Sequence, residues 1–254
     1  MIDLSVVIIA ENEAENIADA LESVKWVDDV VVVDSGSSDR TIEIAKRYTE
    51  RVTTRQWEGY GSQKNYATGL ASHDWILSID ADERVSKELA EEIQALMQSA
   101  PVMQGYRIPR TTRYLGRWIR STDWYPDRQL RLYDRRVAQW NNRYVHESVR
   151  VQGRVGSLRA ELYHHSYKDI GEHLSRMNHY TTLAAAQMMA DGRRTNWLDL
   201  IAYPPLVFFR NYIWRRGFSD RLPGLIVSLM NTYYVFCKYA KLWEQQTKSK
   251  RTSD

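Results

Sequence analysis

The chain has 254 residues, 43% of them hydrophobic and 26% charged, an ordinary globular composition with room for one large domain or a domain with an appendage. Its formal charge of +3 is unevenly spread: residues 1–100 carry 9 Lys and Arg against 20 Asp and Glu, residues 101–160 carry 13 Arg, no Lys and 4 acids, and the rest carries 13 basic and 8 acidic residues. That asymmetry points to an anionic partner for the later part of the chain, and the single cysteine, Cys237, excludes an intrachain disulfide or zinc framework and fits a reducing cytoplasm.

Met1-Ile2-Asp3 leads directly into an apolar run, so no export signal is expected. Leu4 to Ala10 is a continuous β-branched run, as expected of a strand buried on both faces, and the Ala- and Glu-rich segment from Asn12 to Val24 predicts a helix. Val30 to Val33 repeats the strand pattern. Asp34-Ser35-Gly36-Ser37-Ser38-Asp39 then supplies a turn before a helix over Arg40 to Tyr48, with Asp39 read as a cap. Val52 to Trp57 is a weaker strand, Ser62 to Leu70 a helix, Asp74 to Asp80 a strand and Ser86 to Met97 a helix capped by Ser86. Strands and helices alternating at this spacing predict an α/β, doubly wound sheet.

In such a sheet the strand C-termini share one edge, so Glu11, Asp34, Asp80 and Asp82 should converge on a crevice. Gathering carboxylates there costs repulsion unless a cation or donors answer it. Asp80-Ala81-Asp82 is suited to holding a divalent cation, Mg2+ or Mn2+, against a diphosphate. The turn after the first strand lacks Gly-x-Gly-x-x-Gly, and the chain has no Gly-x-x-x-x-Gly-Lys-Ser/Thr, which disfavours dehydrogenase and P-loop chemistry.

Four motifs taken in order resemble the inverting family-2 glycosyltransferases of the GT-A fold: Ser5-Val6-Val7-Ile8-Ile9-Ala10-Glu11-Asn12-Glu13, Val33-Asp34-Ser35-Gly36-Ser37-Ser38-Asp39, Gln63-Lys64-Asn65-Tyr66-Ala67 and Asp80-Ala81-Asp82-Glu83. Tyr125-Pro126-Asp127-Arg128-Gln129-Leu130-Arg131-Leu132 and Val145-His146-Glu147 further resemble the branch that glucosylates the lipopolysaccharide inner core. The resemblance implies a UDP-sugar donor, with Glu11 and Asp34 at the base and ribose, Lys64 and Asn65 beside the nucleotide, Asp80 at ribose or metal-bound water, and Asp82 on the metal. Glu83 is secondary, either supporting the site or favoured by a helix dipole.

The acceptor side is expected within residues 101–167. Tyr106 to Pro109 and Gln129 to Tyr133 read as strands, and the Trp-, Tyr- and Arg-rich stretch from Tyr114 to Tyr125 as a loop. Arginine forks and aromatic rings suit an anionic glycan or glycolipid, with Arg128 and Arg131, helped by Asp127, as the expected contacts. Neutralisation of the acidic N-terminal half is the other use for these arginines. An inverting transfer needs a carboxylate base opposite the leaving group, and Glu147 is the candidate. Its neighbour His146 is the alternative and Asp127 a rival; a plain ion pair with Arg143 or Arg150 is the structural reading of Glu147. His164 and His165 read as core or surface histidines, with an extra metal ligand as the alternative.

From Lys168 the period becomes helical: one amphipathic helix to Ala190, ended by Asp191-Gly192, a second over Trp197 to Trp214 broken at Pro204-Pro205, and a third over Leu222 to Trp243. Leu222 to Cys237, the longest uncharged stretch at 16 residues, falls short of the roughly 20 that span a bilayer. Aromatic and aliphatic residues with basic flanks instead predict a membrane-interfacial extension over 168–254, appended to a GT-A domain over 1–167 whose nucleotide-sugar half is 1–100. This places the chain in the cytoplasm, peripheral on the inner face of the cell membrane. The resembled family carries Gly-Phe-x-Asp-Gly in this region, whereas this chain has Gly217-Phe218-Ser219-Asp220-Arg221. A nucleotidyltransferase and a non-catalytic glycan- or lipid-binding protein are the alternative classes; no nucleic-acid recognition motif is present.

Overall fold

The computed structural model describes residues 3–141 and 148–251. Their contacts divide the chain into two compact units, one of residues 1–111 and 127–165 and one of 112–126 and 166–254. The excursion 112–126 groups with the C-terminal helices.

The first unit runs β1 (Leu4–Ala10), α1 (Ile17–Glu22), β2 (Asp29–Asp34), α2 (Thr41–Ala45), β3 (Val52–Thr54), α3 (Tyr60–Leu70), β4 (Trp75–Asp80), β5 (Glu83–Val85), α4 (Lys87–Gln98) and β6 (Gly105–Tyr114), whose last three residues count with the second unit. Beyond the excursion, with its strand β7 (Arg117–Ile119), come β8 (Asp127–Asp134), β9 (Ala138–Trp140), β10 (Val149–Val151), β11 (Val155–Ser157) and β12 (Leu162–His164). The strand order is β3-β2-β1-β4-β8-β6-β12-β5, with β11 beside β6 and β9 paired with β10.

The β1, β2, β3 and β4 pairs are parallel, as the alternation predicts. β8 then enters antiparallel between β4 and β6, making the sheet mixed. β1 is buried along its whole length because both faces are covered. Leu4, Val6 and Ile8 pack with Ile17 and Leu21 of α1 and Leu89 and Ile93 of α4. Val7 and Ile9 pack on the other face with Ala67 of α3, Tyr133 and Trp140. Ser86 caps α4 by accepting from the Leu89 amide at 3.1 Å.

The second unit pairs the end of β6 antiparallel with β7, followed by a 3-10 turn at Thr122–Trp124. Its helices are α5 (Ile170–Ala190), α6 (Trp197–Phe209) and α7 (Arg221–Arg251). The helix α6 passes through Pro204 and Pro205 instead of breaking there. The irregularity comes later, where the Arg215 amide reaches back five residues to the Arg210 carbonyl at 2.8 Å and residues 210–214 form a π-helical turn. The helix α7 outlasts its apolar run, continued by an i,i+4 ion pair between Glu244 and Lys248 at 2.7 Å. Among the described residues no helix is long and apolar enough to cross a membrane.

Candidate active site

At the C-terminal ends of β1 and β2 the two turns are stitched together. The Asn12 amide donates to Ser37 Oγ at 2.8 Å, and Asn12 Oδ1 accepts from the Ser38 amide at 2.9 Å. Glu11 stands exposed at this edge. Asp34 does not: it is 0% exposed, and its Oδ1 accepts from the amides of Gly36 and Ser37, each at 2.8 Å. The aspartate expected at the nucleotide thus builds the turn that shapes the edge. Asp39 accepts from the Thr41 amide at 2.9 Å and the Ala14 amide at 3.0 Å, tying the two turns together.

β4 delivers Asp80 to the same edge. Its Oδ2 accepts from Arg131 Nη2 at 2.6 Å, and Lys64 Nζ of α3 lies 2.9 Å from its Oδ1. Burial pushes the Asp80 carboxyl up, but the charges of Arg131 and Lys64 outweigh it and hold the group well below the usual carboxylate range. Lys64 itself is 2% exposed, with its Nζ 4.5 Å from the centre of the Trp140 ring.

Behind Asp80 runs a ladder of alternating charge. Glu83, 0% exposed, accepts at Oε1 from Arg131 Nη2 at 2.7 Å and Arg110 Nη1 at 2.9 Å. Its Oε2 accepts from the Asp80 amide at 3.0 Å. Arg110 in turn donates through Nε and Nη2 to Asp127 Oδ2 at 2.9 and 2.6 Å. The neighbouring carboxylates keep both guanidiniums charged despite burial.

The two arginines expected at the acceptor differ in burial, on either side of a register shift in β8. Arg128 is exposed, whereas Arg131 is 3% exposed and spent on Asp80 and Glu83. The Asn65 side chain donates to the Trp140 carbonyl at 3.0 Å and accepts from the Trp140 amide at 2.9 Å. It therefore clamps the end of β9. Arg110, missed in the sequence, had a signal in the charged residue that closes the apolar alternation from Tyr106 to Pro109.

β12 runs antiparallel to β5 and sets His164 opposite Glu83. From there His164 Nε2 lies 3.2 Å from Asp82 Oδ2. Burial pushes the Asp82 carboxyl up, and the imidazole's charge and hydrogen bond more than reverse this, lowering it below its ordinary value. His165 turns away to Arg84, whose Nη1 lies 2.7 Å from its Nε2. Among the described residues no three His, Cys, Asp or Glu side chains are gathered as a complete metal cage. The Asp82–His164 pair, beside the Asp80 carboxylate, fits a hard divalent cation that takes its remaining ligands from phosphate and water. Glu147 and His146 lie outside the described residues.

The profile of the family described as "Glycosyl transferase family 2" matches residues 5–157. The chain belongs to glycosyl transferase family 2. The lipopolysaccharide core biosynthesis glycosyltransferase LpsC of Rhizobium meliloti is 32% identical, over 95% of this chain and 92% of its own. An uncharacterized glycosyltransferase of Rickettsia felis is also 32% identical, over 97% and 92%. Among solved structures, the mannosyltransferase PcManGT from Pyrobaculum calidifontis, in complex with GDP-Man and Mn2+, shares the fold at TM-score 0.56 and 14% identity, over 96% of this chain and 88% of its own. The protein is thus a transferase enzyme of the GT-A architecture with a C-terminal helical extension.

Proposed function

We propose that this family-2 glycosyltransferase is a metal-dependent inverting hexosyltransferase that moves glucose from UDP-glucose to an anionic glycolipid of the lipopolysaccharide inner core. The observation that carries the reading is the Asp80-Ala81-Asp82 strand end, with His164 3.2 Å from Asp82 and Lys64 and Arg131 gripping Asp80. The similarity to the Rhizobium core glycosyltransferase and the Mn2+ in the Pyrobaculum mannosyltransferase support it.

Asp82, His164 and Asp80 would hold Mg2+ or Mn2+, which when bound neutralises charge on the departing nucleoside diphosphate. The chain's own residues then divide the work. Lys64 and Arg131 fix the Asp80 carboxylate, while Glu11 and the turn built by Asp34 and Asn12 frame the nucleoside. Asp127, oriented by Arg110, and the exposed Arg128 meet the acceptor. Glu147 takes the proton of the attacking acceptor hydroxyl; that oxygen bonds to the anomeric carbon as the bond to the diphosphate oxygen breaks on the opposite side. The helical extension keeps the enzyme on the inner face of the cell membrane, next to its glycolipid.

The test is release of nucleoside diphosphate from a panel of nucleotide sugars, with Mn2+ and lipopolysaccharide core acceptors truncated at successive sugars. UDP-glucose should be consumed fastest, with a β-linked product and loss of turnover in EDTA. Preference for another sugar overturns the glucose assignment, and release from none overturns the activity.

A further inference from the structure

The second unit carries a surface opposite to what solvent favours. On α6 and the π-helical turn that follows it, the outward positions Trp197, Leu198, Ile201, Leu206, Phe209 and Ile213 are between 50% and 66% exposed, and none is charged. At about 100° per residue they fall within one half of the helix circumference, and the buried Pro204 and Asn211 lie outside it. Trp214, at the end of the π-helical turn, is 85% exposed. With Phe209, Ile213 and Arg210 it lines a depression of about 270 Å³. A continuous apolar face of this kind marks an interaction site.

The surrounding charge selects the occupant. From Arg193 to Arg221 the chain carries six Arg, no Lys and two acids. Asp220 is buried, bonded to the Arg120 amide and the Ser121 hydroxyl, and Asp199 closes the α6 capping box. Arg193, Arg194, Arg216 and Arg221 are exposed around the apolar face. Hydrocarbon contact bordered by guanidinium groups is the complement of an anionic bilayer at the boundary between headgroup and acyl chain. We infer that α6 and its π-helical turn are the membrane-binding element, lying flat on anionic lipid through the Trp197–Trp214 face. This rests on the peripheral-membrane reading above and narrows it to one helix face.

The two prolines set the depth. Pro204 and Pro205 have no amide hydrogen, so the carbonyls of Leu200 and Ile201 lack their i+4 donors. In hydrocarbon those oxygens would be costly to leave unpaired, whereas at headgroup level water answers them. The middle of α6 therefore stays shallow, with only side chains reaching the acyl region.

The test uses the full chain with vesicles of phosphatidylcholine, with and without phosphatidylglycerol, read by co-sedimentation and by quenching of tryptophan emission with lipids brominated at shallow or deep positions. Wild type should bind the anionic vesicles and be quenched by the shallow bromines. Ile201→Ser/Phe209→Ser should lower the partition constant by about tenfold or more, because two apolar side chains leave the membrane. Leu229→Ser/Phe236→Ser on α7 should not change it. Because these positions are exposed, unchanged melting temperatures certify the fold. Wild-type binding that survives the α6 substitutions but falls with the α7 ones leaves the membrane reading standing and overturns the α6 assignment. No wild-type binding overturns both. Wild type that stays off the vesicles as a dimer, with a monomeric α6 variant, makes the face a self-interface and overturns the lipid assignment, as stronger quenching by the deep bromines overturns the shallow seating.

Discussion

His164 and Asp82 are 82 residues apart in the chain, yet Nε2 of the one lies 3.2 Å from Oδ2 of the other. If the pair holds the cation, Asp82→Asn and His164→Ala should each weaken Mn2+-dependent binding of the nucleoside diphosphate by about 10- to 100-fold. Titration calorimetry with and without Mn2+ checks it. Unchanged affinity in both variants would move the cation elsewhere.

Arg131 is the rung on which Asp80 and Glu83 depend. Arg131→Met leaves two buried carboxylates without their shared partner, which should cost about 3–5 kcal/mol in urea unfolding. Adding Glu83→Gln should recover part of that loss, since the two sites are coupled. A single variant as stable as wild type would show that the ladder contributes nothing.

Glu147→Gln should bind UDP-glucose and Mn2+ as wild type does while transfer falls by about 100- to 10,000-fold, the span of a general base. Single-turnover product formation separates the two effects. Near-normal turnover assigns the base to another side chain, and His146→Gln and Asp127→Asn are the next variants to measure.

Arg221 adopts φ 57° and ψ −139°, a backbone region that belongs to glycine. It stands where the resembled family has the last glycine of Gly-Phe-x-Asp-Gly. Arg221→Gly should raise stability by about 1 kcal/mol, the strain relieved minus the extra freedom of glycine in the unfolded chain. A lower melting temperature would mean that the guanidinium contributes more than the strain costs.

His173 of α5 stacks on Tyr167 at 4.3 Å between centroids and has Nδ1 2.8 Å from the Tyr114 hydroxyl. Burial lowers its pKa to about 4. Between the ordinary value near 6.5 and about 4, the unfolded chain binds a proton that the folded chain does not, so stability falls as pH falls through that window and levels off below it. The loss should reach about 2 kcal/mol once solvent screening is allowed for. His173→Gln should flatten the slope of unfolding free energy between pH 7 and 4, and an unchanged slope would assign the titration to another group.

The nucleotide half was legible because its signals are local. A β-branched run buried on both faces leaves little but a central strand, and acids just past strand ends fall at one edge whatever the loop details. The ladder of Arg131, Glu83 and Arg110 was not legible, because an arginine on an antiparallel strand looks like surface until β8 is seen between β4 and β6. Asp34 and Asn65 were recognised as important from the motifs, while the bonds they make, Asp34 to the Gly36–Ser37 turn and Asn65 to the Trp140 backbone, are set by tertiary structure. Pro204-Pro205 misled for a different reason: each proline removes one amide donor, and packing of the helix tolerated both losses while the ladder widened only at 210–214.

The clamp between Asn65 and Trp140 has one more consequence. Directly after it the Asn141 amide donates to the Ser148 carbonyl at 3.1 Å, and Asn141 Nδ2 to Ser148 Oγ at 2.8 Å. Positions 141 and 148 are thus tied together and, through Trp140, to Asn65 of α3. A loosened Asn65 should therefore be felt far along the sequence, as faster amide exchange in the pair that sets Val149 against Trp140 and Val151 against Ala138.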